Sequence, residues 1–224
     1  MPSAIRPAPP PDCPACPRLA DFRQANRALY PAFHNAPVPS FGPADAGLLI
    51  VGLAPGLKGA NQTGRPFTGD YAGDLLYATL LQFGFATGRY GAHAGDGLQL
   101  RGCRITNAVR CVPPQNKPVG AEIRTCRPFL LPELTAAPAP RAVLALGKVA
   151  HDSTLTALGR KLSAHPFRHG ARHDLHVGEP SGGPALFDSY HCSRYNTNTG
   201  RLTEAMFHDV FAGIRDWLDA PDRR

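Results

Sequence analysis

The chain has 224 residues, of which 43% are hydrophobic and 18% are charged, a balance typical of a single globular domain. Its 23 glycines and 24 prolines follow no repeating period, which excludes collagen-like and coiled-coil architectures. The longest apolar run, Leu48 to Ala54, is far shorter than the roughly 20 residues of a membrane-spanning helix, so no membrane partner is predicted. The first dozen residues lack the apolar run of a secretory signal, and we therefore expect a cytoplasmic protein.

The charge of the chain has two interpretations. The net charge is +7, and 20 of the 24 basic residues are arginine. Arginine is suited to bidentate contacts with phosphate, which favours a nucleic-acid partner. An arginine-rich and lysine-poor composition also follows from the base composition of a genome, and composition alone does not separate these two explanations.

The predicted elements alternate between short apolar strands and helices. A flexible, proline-rich lead-in occupies residues 1 to 12, the domain extends over residues 13 to 218, and residues 219 to 224 form a tail. Strands are predicted at residues 47–53, 103–109, 141–146 and 185–190. Helices are predicted at residues 73–83, 119–134, 148–158 and 202–218. This alternation favours a mainly parallel sheet that helices cover on both faces.

Polar, glycine-rich and histidine-bearing segments follow the predicted strands. They lie at Gly52 to Gly56, at Thr106–Asn107 and at His191 to Asn196. Ligands of open parallel sheets bind outside the carboxyl ends of the strands. We therefore expect the functional site at this edge of the sheet.

Four of the six cysteines have a spacing that suggests a metal site. Cys13 and Cys16 form a C-x-x-C pair, Cys111 follows 95 residues later, and Cys126 another 15 residues on. In a reducing compartment such a set indicates metal binding ahead of disulfides, and the proline-rich flanks are unlike those of a thioredoxin-like redox pair. Zinc and an iron–sulfur cluster both accept four cysteine ligands, and the spacing does not separate them. The other two cysteines are interpreted as buried thiols: Cys103 and Cys192.

Several motifs agree with one family in order and spacing. They are Gly52-Leu-Ala-Pro-Gly56, the segment Gly59 to Asp70 (GANQTGRPFTGD), Ile105-Thr-Asn-Ala108, and His191 to Asn196 (HCSRYN) with Thr199 to Thr203 (TGRLT). Together they resemble the type-5 (UDGb) branch of the uracil-DNA glycosylase superfamily over residues 13 to about 215.

This resemblance implies a fold, an activity and a cofactor. The fold is a three-layer α/β/α sandwich with a central four-stranded, mainly parallel sheet. The activity is that of a monofunctional, monomeric DNA glycosylase that removes uracil, and also hypoxanthine or other deaminated bases, from double- and single-stranded DNA and so initiates base excision repair. The cofactor is a [4Fe-4S] cluster, whose ligands by motif position are Cys13, Cys16, Cys111 and Cys126.

Three residues are assigned to the chemistry or to the base. Hydrolysis of an N-glycosidic bond leaves negative charge on the base and positive charge on the deoxyribose. His191 is predicted to donate a hydrogen bond to uracil O2 and so to stabilise the departing anion, the alternative being a structural histidine. The Asn107 amide is predicted to read the flipped base, the alternative being an Asx turn at a strand end. Phe67 is predicted to stack on the base, the alternative being a core aromatic.

A carboxylate and small residues complete the predicted site. Asp70 is expected to orient water or to balance the sugar cation, while its alternative role is the N-cap of the following helix. Small residues at Gly52, Ala54 and Gly56 allow backbone amides to approach the base and the phosphate. Phosphate or DNA contacts are assigned to a further set, for which a solvated basic face is the alternative: Lys58, Arg194, Tyr195, Asn196 and Arg201.

The sequence departs from the family pattern in places that define the rival hypotheses. Cys192 stands where proline usually follows the histidine, and Tyr195 stands where an aliphatic wedge is common. Leu53 replaces a polar residue of other branches, which argues against a strictly uracil-specific sibling enzyme. A non-catalytic iron–sulfur protein that binds nucleic acid is the second rival. Lyase activity is not expected, because no lysine belongs to the residues assigned to chemistry, Lys58 being the nearest.

Overall fold

The computed structural model describes residues 8–175 and 183–220. The strands are β1 (Leu48–Gly52), β2 (Ala86–Thr87), β3 (Gln99–Leu100), β4 (Cys103–Asn107), β5 (Ala142–Leu146), β6 (Arg172–Asp174) and β7 (Ala185–Ser189). The α-helices are α1 (Pro17–Leu29), α2 (Ala60–Thr63), α3 (Tyr71–Gln82), α4 (Gly120–Cys126), α5 (Leu131–Thr135), α6 (Lys148–Ala157), α7 (Arg194–Asn198) and α8 (Glu204–Asp219). The predicted boundaries at residues 12 and 218 stay predictions, since residues 1–7 and 221–224 lie outside the described part.

The central sheet has five strands in the order β4-β1-β5-β7-β6. The first four are parallel, whereas β6 runs antiparallel to β7 at the edge. The expectation of four strands is therefore wrong by one edge strand. Because β6 has only three residues, all of them polar, it carries no apolar pattern by which it could be recognised. Strands β2 and β3 form a separate antiparallel pair.

Helices cover both faces of the sheet, which confirms the predicted α/β/α sandwich. All residues of β1 and β5 are buried, as expected for apolar parallel strands with two covered faces. Leu76 of α3 and Phe211 of α8 belong to the core on one face. Leu134 of α5 and Leu155 of α6 belong to the core on the other face. Within the described residues, no helix combines the length and apolarity needed to cross a bilayer.

The helices predicted from apolar periodicity are confirmed, with one break. The segment predicted as a helix over residues 119–134 is divided into α4, a 3-10 turn at Arg127–Phe129, and α5. Pro128 and Pro132 explain the break, because proline lacks the N–H that a continuous helix needs. Helix α1 was not predicted, since nearly half of its residues are polar and its buried residues include Arg23 and Asn26.

Candidate active site and metal centre

A cavity of about 660 Å³ opens at the carboxyl ends of the parallel strands. Loops that follow all four parallel strands line it, together with the N-terminus of α3. This is the place where open parallel sheets bind their ligands, as predicted. The lining side chains are Leu53, Ala54, Gly56, Asp70, Tyr71, Ala72, Asn116, Leu146, Gly147, Lys148, Val149, His191, Ser193 and Arg194.

Asp70 caps α3 with one carboxylate oxygen, while its other oxygen faces two glycines. Its Oδ1 accepts a hydrogen bond from the Gly73 amide at 3.2 Å, which makes it the N-cap of α3. Its Oδ2 lies close to two glycines. A Cβ added to Gly59 would stand 2.5 Å from this oxygen, and one added to Gly56 would stand 3.3 Å from it. Burial raises the pKa of Asp70, although amide hydrogen bonds oppose the shift. A carboxylate with a raised pKa is a stronger general base.

His191 is half-buried in the cavity wall, where its ring stacks on Phe67. The two ring centroids are 5.7 Å apart, and the ring planes differ by 28°. Burial lowers the pKa of His191 to about 4. The imidazole is therefore neutral at neutral pH and donates from one ring nitrogen only.

Phe67 and Asn107 pack against Gly52, the last residue of β1. Gly52 pairs in register with Asn107 on the neighbouring strand. A Cβ at Gly52 would collide with Asn107 Oδ1 and would stand 2.6 Å from Phe67 Cζ, so only glycine allows this approach. Both side chains are buried, and the described residues that line the open cavity do not include them. Phe67 is connected to the cavity through its stack on His191.

The loop that carries Phe67 is held in an unusual conformation. Phe67 has φ +53°, in the left-handed region that bulky residues rarely adopt. The almost fully buried pair Arg65–Asp96, at 2.6 Å, and a hydrogen bond from Arg65 Nε to Thr68 Oγ1, at 2.8 Å, hold the loop. The Arg65 guanidinium keeps the pKa of Asp96 well below its usual range. Sequence reasoning missed Asp96, which lies 31 residues from its partner in a loop without a recognisable pattern.

The residues assigned to DNA contacts fall into two groups. Arg194 lies at the cavity over the ring of Tyr71, at 5.2 Å, and Tyr195 is 71% exposed beside it. Arg201 is exposed and lies over the Tyr190 ring. Lys58 is exposed as well. Asn196 differs, because its Nδ2 donates to the His191 carbonyl at 2.8 Å and so holds the backbone of the loop.

The cavity also contains residues that sequence reasoning did not place there. Lys148, the first residue of α6, lines it whereas Lys58 does not, so the expectation that Lys58 is the nearest lysine is wrong. The Lys148 ammonium donates to both carboxylate oxygens of Asp152, at 2.8 and 2.6 Å. The pair is exposed, and a lysine acts as a nucleophile only after its ammonium loses a proton. Asn116 enters the wall from a loop where it has φ +57°.

The structure brings four cysteines to one small apolar cavity, formed by Cys13, Cys16, Cys111 and Cys126. The Arg110 amide donates to Cys126 Sγ at 3.3 Å, and Arg23 Nη1 lies 3.8 Å from Cys111 Sγ. Burial, reinforced by the neighbouring thiols, raises the pKa of Cys16 and that of Cys111, the latter to about 12. These thiols therefore stay protonated until a metal displaces their protons. As predicted, the remaining two are buried elsewhere: Cys103 and Cys192.

The lining of the cysteine cavity bears on the kind of metal. The cavity is small and apolar, and the Arg110 amide donates to Cys126 Sγ. Four thiolates suit zinc as well as an iron–sulfur cluster. The apolar enclosure and the N–H donors to sulfur fit the cluster.

Comparison with known proteins agrees with the fold and the cavity. The sequence model of the uracil DNA glycosylase superfamily matches residues 39–215. The type-5 uracil-DNA glycosylase of Thermus thermophilus is 45% identical over 203 residues, which cover 88% of this chain and 90% of that protein. The type-5 enzyme of Mycobacterium leprae is 43% identical, with 89% and 88% covered. A type-4 uracil-DNA glycosylase of Sulfurisphaera tokodaii is 28% identical, with 85% and 79% covered.

These matches define the class of protein: it is a DNA glycosylase, a hydrolase of N-glycosyl bonds in DNA repair. The fold agrees, because the ends of the parallel strands surround a cavity that contains a carboxylate and a neutral histidine. The chain belongs to the type-5 branch of the uracil-DNA glycosylase superfamily, as its motifs predicted. The hypothesis of a non-catalytic binding protein is thereby wrong.

Proposed function

We propose that this uracil-DNA glycosylase acts as a monomer on double- and single-stranded DNA, removes uracil, hypoxanthine and related deaminated bases without lyase activity, and so initiates base excision repair. The observation that carries the proposal is the opposite shift of two pKa values at one cavity. Burial raises the pKa of Asp70 and lowers that of His191. Both shifts favour the uncharged form of the group, so His191 stays a neutral donor, and the more basic carboxylate of Asp70 suits a general base.

Hydrolysis is assigned to these two side chains. As the bond between C1′ and the base nitrogen breaks, the electron pair leaves with the base, and neutral His191 donates a hydrogen bond to uracil O2. Asp70 Oδ2, in the space left by Gly56 and Gly59, accepts a proton from the water that attacks C1′ and balances the charge on the sugar. Leu53 offers no polar group in the same wall, so the carboxylate comes from the N-terminus of α3.

Recognition of the base and of the DNA is assigned to neighbouring groups. Phe67 stacks on the flipped base, and the Asn107 amide pairs with its edge. The small residues Gly52, Ala54 and Gly56 allow the backbone to approach the base. Exposed Tyr195 fills the gap that the flipped base leaves in the duplex. Phosphates are contacted by Lys58, Arg194 and Arg201, and Asn196 holds the loop that presents His191.

We also propose that the four cysteines hold a [4Fe-4S] cluster with a structural role. When bound, the cluster cross-links the start of α1, the segment after β4 and the end of α4 through iron–thiolate bonds. The convergence of the four thiols on one apolar cavity supports this assignment. The cluster ligands lie outside the wall of the active-site cavity.

The activity is tested on labelled oligonucleotides that carry a single uracil or hypoxanthine, in single and double strands. A monofunctional glycosylase leaves an abasic site, which breaks only after alkali treatment. Strand breaks without alkali would contradict the absence of lyase activity and would direct attention to Lys148. Abasic sites from uracil alone would restrict the substrate range to uracil.

A further inference from the structure

A second cluster of titratable side chains lies outside the active-site cavity. Asp188 on β7 is 0% exposed, and it is flanked by His151 of α6 and His173 of β6. His151 Nδ1 lies 2.7 Å from Asp188 Oδ1, and His173 Nε2 lies 3.1 Å from Oδ2. The three ligand atoms all lie within 4.8 Å of one another. The proposed hydrolysis uses none of these residues.

The hydrogen bonds of His151 show which of its ring nitrogens carries a hydrogen and which one is available as a ligand. Nε2 lies 2.8 Å from the His165 carbonyl, which only accepts, so Nε2 carries a hydrogen. Nδ1 then faces a carboxylate, another group that only accepts. A positive species, either a proton or a metal ion, is required between them. A histidine that ligates a metal typically donates its other N–H to a backbone carbonyl, as His151 does.

The described side-chain partners of Asp188 are imidazoles, which can ligate a metal ion, and not arginine or lysine. The described hydrogen bonds to its carboxylate come from the two histidines and, at 3.4 Å, from the Arg168 amide. A buried carboxylate requires compensation of its charge, and here two imidazoles, which are also metal ligands, supply it together with one backbone amide. His173 is half-buried, with its ring centroid 5.5 Å from that of half-buried His165, so solvent reaches the cluster from this side.

We propose that His151 Nδ1, His173 Nε2 and the Asp188 carboxylate bind one divalent transition-metal ion, for which zinc is the best match. Imidazole and carboxylate ligands suit zinc, at about 2.0 to 2.2 Å from the ion. The ligand atoms then stand about 3.3 Å apart in a tetrahedral site. The 2.7 and 3.1 Å contacts, which go to different oxygens of Asp188, therefore open by a few tenths of an ångström, and ligand atoms that are farther apart, up to 4.8 Å, draw together around the ion. The incoming ion displaces the proton between His151 and Asp188 into solvent.

The position of this site connects it to the active-site cavity. Asp188 precedes His191 by three residues, and α6, which carries His151, begins with Lys148 in the cavity wall. A metal ion here joins α6, β6 and β7 and so holds two walls of the cavity together. Because the ion binds the folded chain, it raises the melting temperature.

The test measures zinc in the purified holoprotein, independently of glycosylase activity. The protein is incubated with micromolar zinc chloride and gel-filtered, and zinc and iron are quantified in the same sample. We expect one equivalent of zinc, unchanged iron and a higher melting temperature. In His173→Ala we expect zinc retention to fall at least about tenfold, because the loss of a ligand costs at least as much as the loss of a group that only orients one. The matched control His208→Ala changes a half-buried histidine on α8 and is expected to retain zinc.

Three results would overturn the proposal. They are an absence of retained zinc in the unaltered protein, equal retention in His173→Ala, and zinc that enters only as iron leaves, which would locate the ion at the cysteines. Each would leave a protonated His151 paired with Asp188. If His173→Ala does not fold, the visible spectrum of cobalt(II) bound to the unaltered protein provides the test. Weak visible bands without thiolate charge transfer support the site. Thiolate charge transfer, or no cobalt spectrum, overturns it.

Discussion

The active-site cavity and the cysteine cavity are built in opposite ways. The first measures about 660 Å³, is open, and takes its lining from loops after four parallel strands and from the N-terminus of α3. The second is small and apolar, and four thiols from the N-terminal segment, the region after β4 and the end of α4 face it. A hydrolytic site needs room for a base, a sugar and water, whereas a cross-linking group needs enclosure.

Burial also acts differently on the titratable groups of the two cavities. In the active site it raises the pKa of Asp70 and lowers that of His191, and so it prepares a base beside a neutral donor. In the cysteine cavity it raises the pKa of Cys16, Cys111 and Cys126 alike. We infer that loss of a group in the first cavity reduces the rate, whereas loss of a group in the second reduces stability.

The largest effect is expected from Cys126→Ser. Loss of one ligand should abolish the iron content and the brown colour and should cost several kcal/mol of stability, because binding of the metal group is coupled to folding. Iron analysis, visible absorption and thermal unfolding measure this. Cys103→Ala, which alters a buried thiol outside the cavity, is the control and should keep the iron. A colourless protein with stoichiometric zinc and full activity would contradict the assignment.

The next effect concerns the support of the active-site loop. Asp96→Asn leaves the buried Arg65 guanidinium without its partner and should lower the free energy of unfolding by about 3 to 5 kcal/mol, as measured by urea denaturation. The matched control is Asp174→Asn, which breaks the exposed pair with Arg172 and should cost about 1 kcal/mol or less. Equal losses of unfolding free energy in the two variants would show that burial does not make the Arg65–Asp96 pair more stabilising than the exposed pair.

Asp70→Asn should reduce single-turnover excision by roughly 10²-fold or more, with DNA binding retained. Asparagine caps helices about as well as aspartate, so α3 should persist. Asp74→Asn, an exposed change on the same helix, is the control. Excision by Asp70→Asn near the rate of the unaltered protein would reduce Asp70 to a helix cap.

The pH dependence distinguishes the two roles of Asp70 further. Its folded pKa is raised, so its contribution to stability is present below the unfolded pKa and is lost as the pH rises through the folded pKa. Hence Asp70→Asn should cost the fold nothing at neutral pH. The base must be ionised, so excision by the unaltered protein should decline as the pH falls through the raised pKa of Asp70, and the variant should lack this limb.

Asn107→Asp should change the ranking of bases more than the overall rate. The substitution keeps an acceptor for the N–H of a base but removes the donor to its carbonyl, a loss of roughly 1 to 3 kcal/mol for a bidentate pair. Uracil and hypoxanthine both present a carbonyl beside an N–H and should lose excision together, whereas cytosine, which presents an amino donor, should rise relative to them. Excision of uracil and of cytosine is compared in single turnovers, with the exposed change Asn198→Asp as the control. An equal change for both bases would remove Asn107 from base recognition.

The smallest effects are expected at the exposed rim. Arg194→Ala and Arg201→Ala should each reduce the slope of log affinity against log salt by about 1, because each removes one phosphate contact. Binding to a duplex is measured over a salt series. Arg172→Ala, an exposed change outside the cavity wall, should leave the slope unchanged. An unaltered slope in the first two variants would return these arginines to a solvated surface.

Prediction from the sequence succeeded where neighbouring residues carry the signal. The strands β1 and β5 are unbroken apolar runs, and α8 has regular apolar spacing, so both kinds of element were recognisable. Edge strand β6 and helix α1 were missed, because they present polar side chains to their neighbours. The motif residues Asp70 and His191 were found together at one cavity, as the carboxyl ends of parallel strands require.

The sequence by itself determined the alternating elements, the edge of the sheet that carries the site, the family and the four cysteines. Only the tertiary structure decided that Asp96 supports the loop of Phe67, that Lys148 and not Lys58 lines the cavity, and that His151, His173 and Asp188 converge. The contacts of Asp96 and Asp188 join residues far apart in the chain and are buried, and the place of Lys148 follows from the packing of α6 on the sheet. Burial and the partner across it arise from packing of the whole chain, so no local pattern of residue types encodes them.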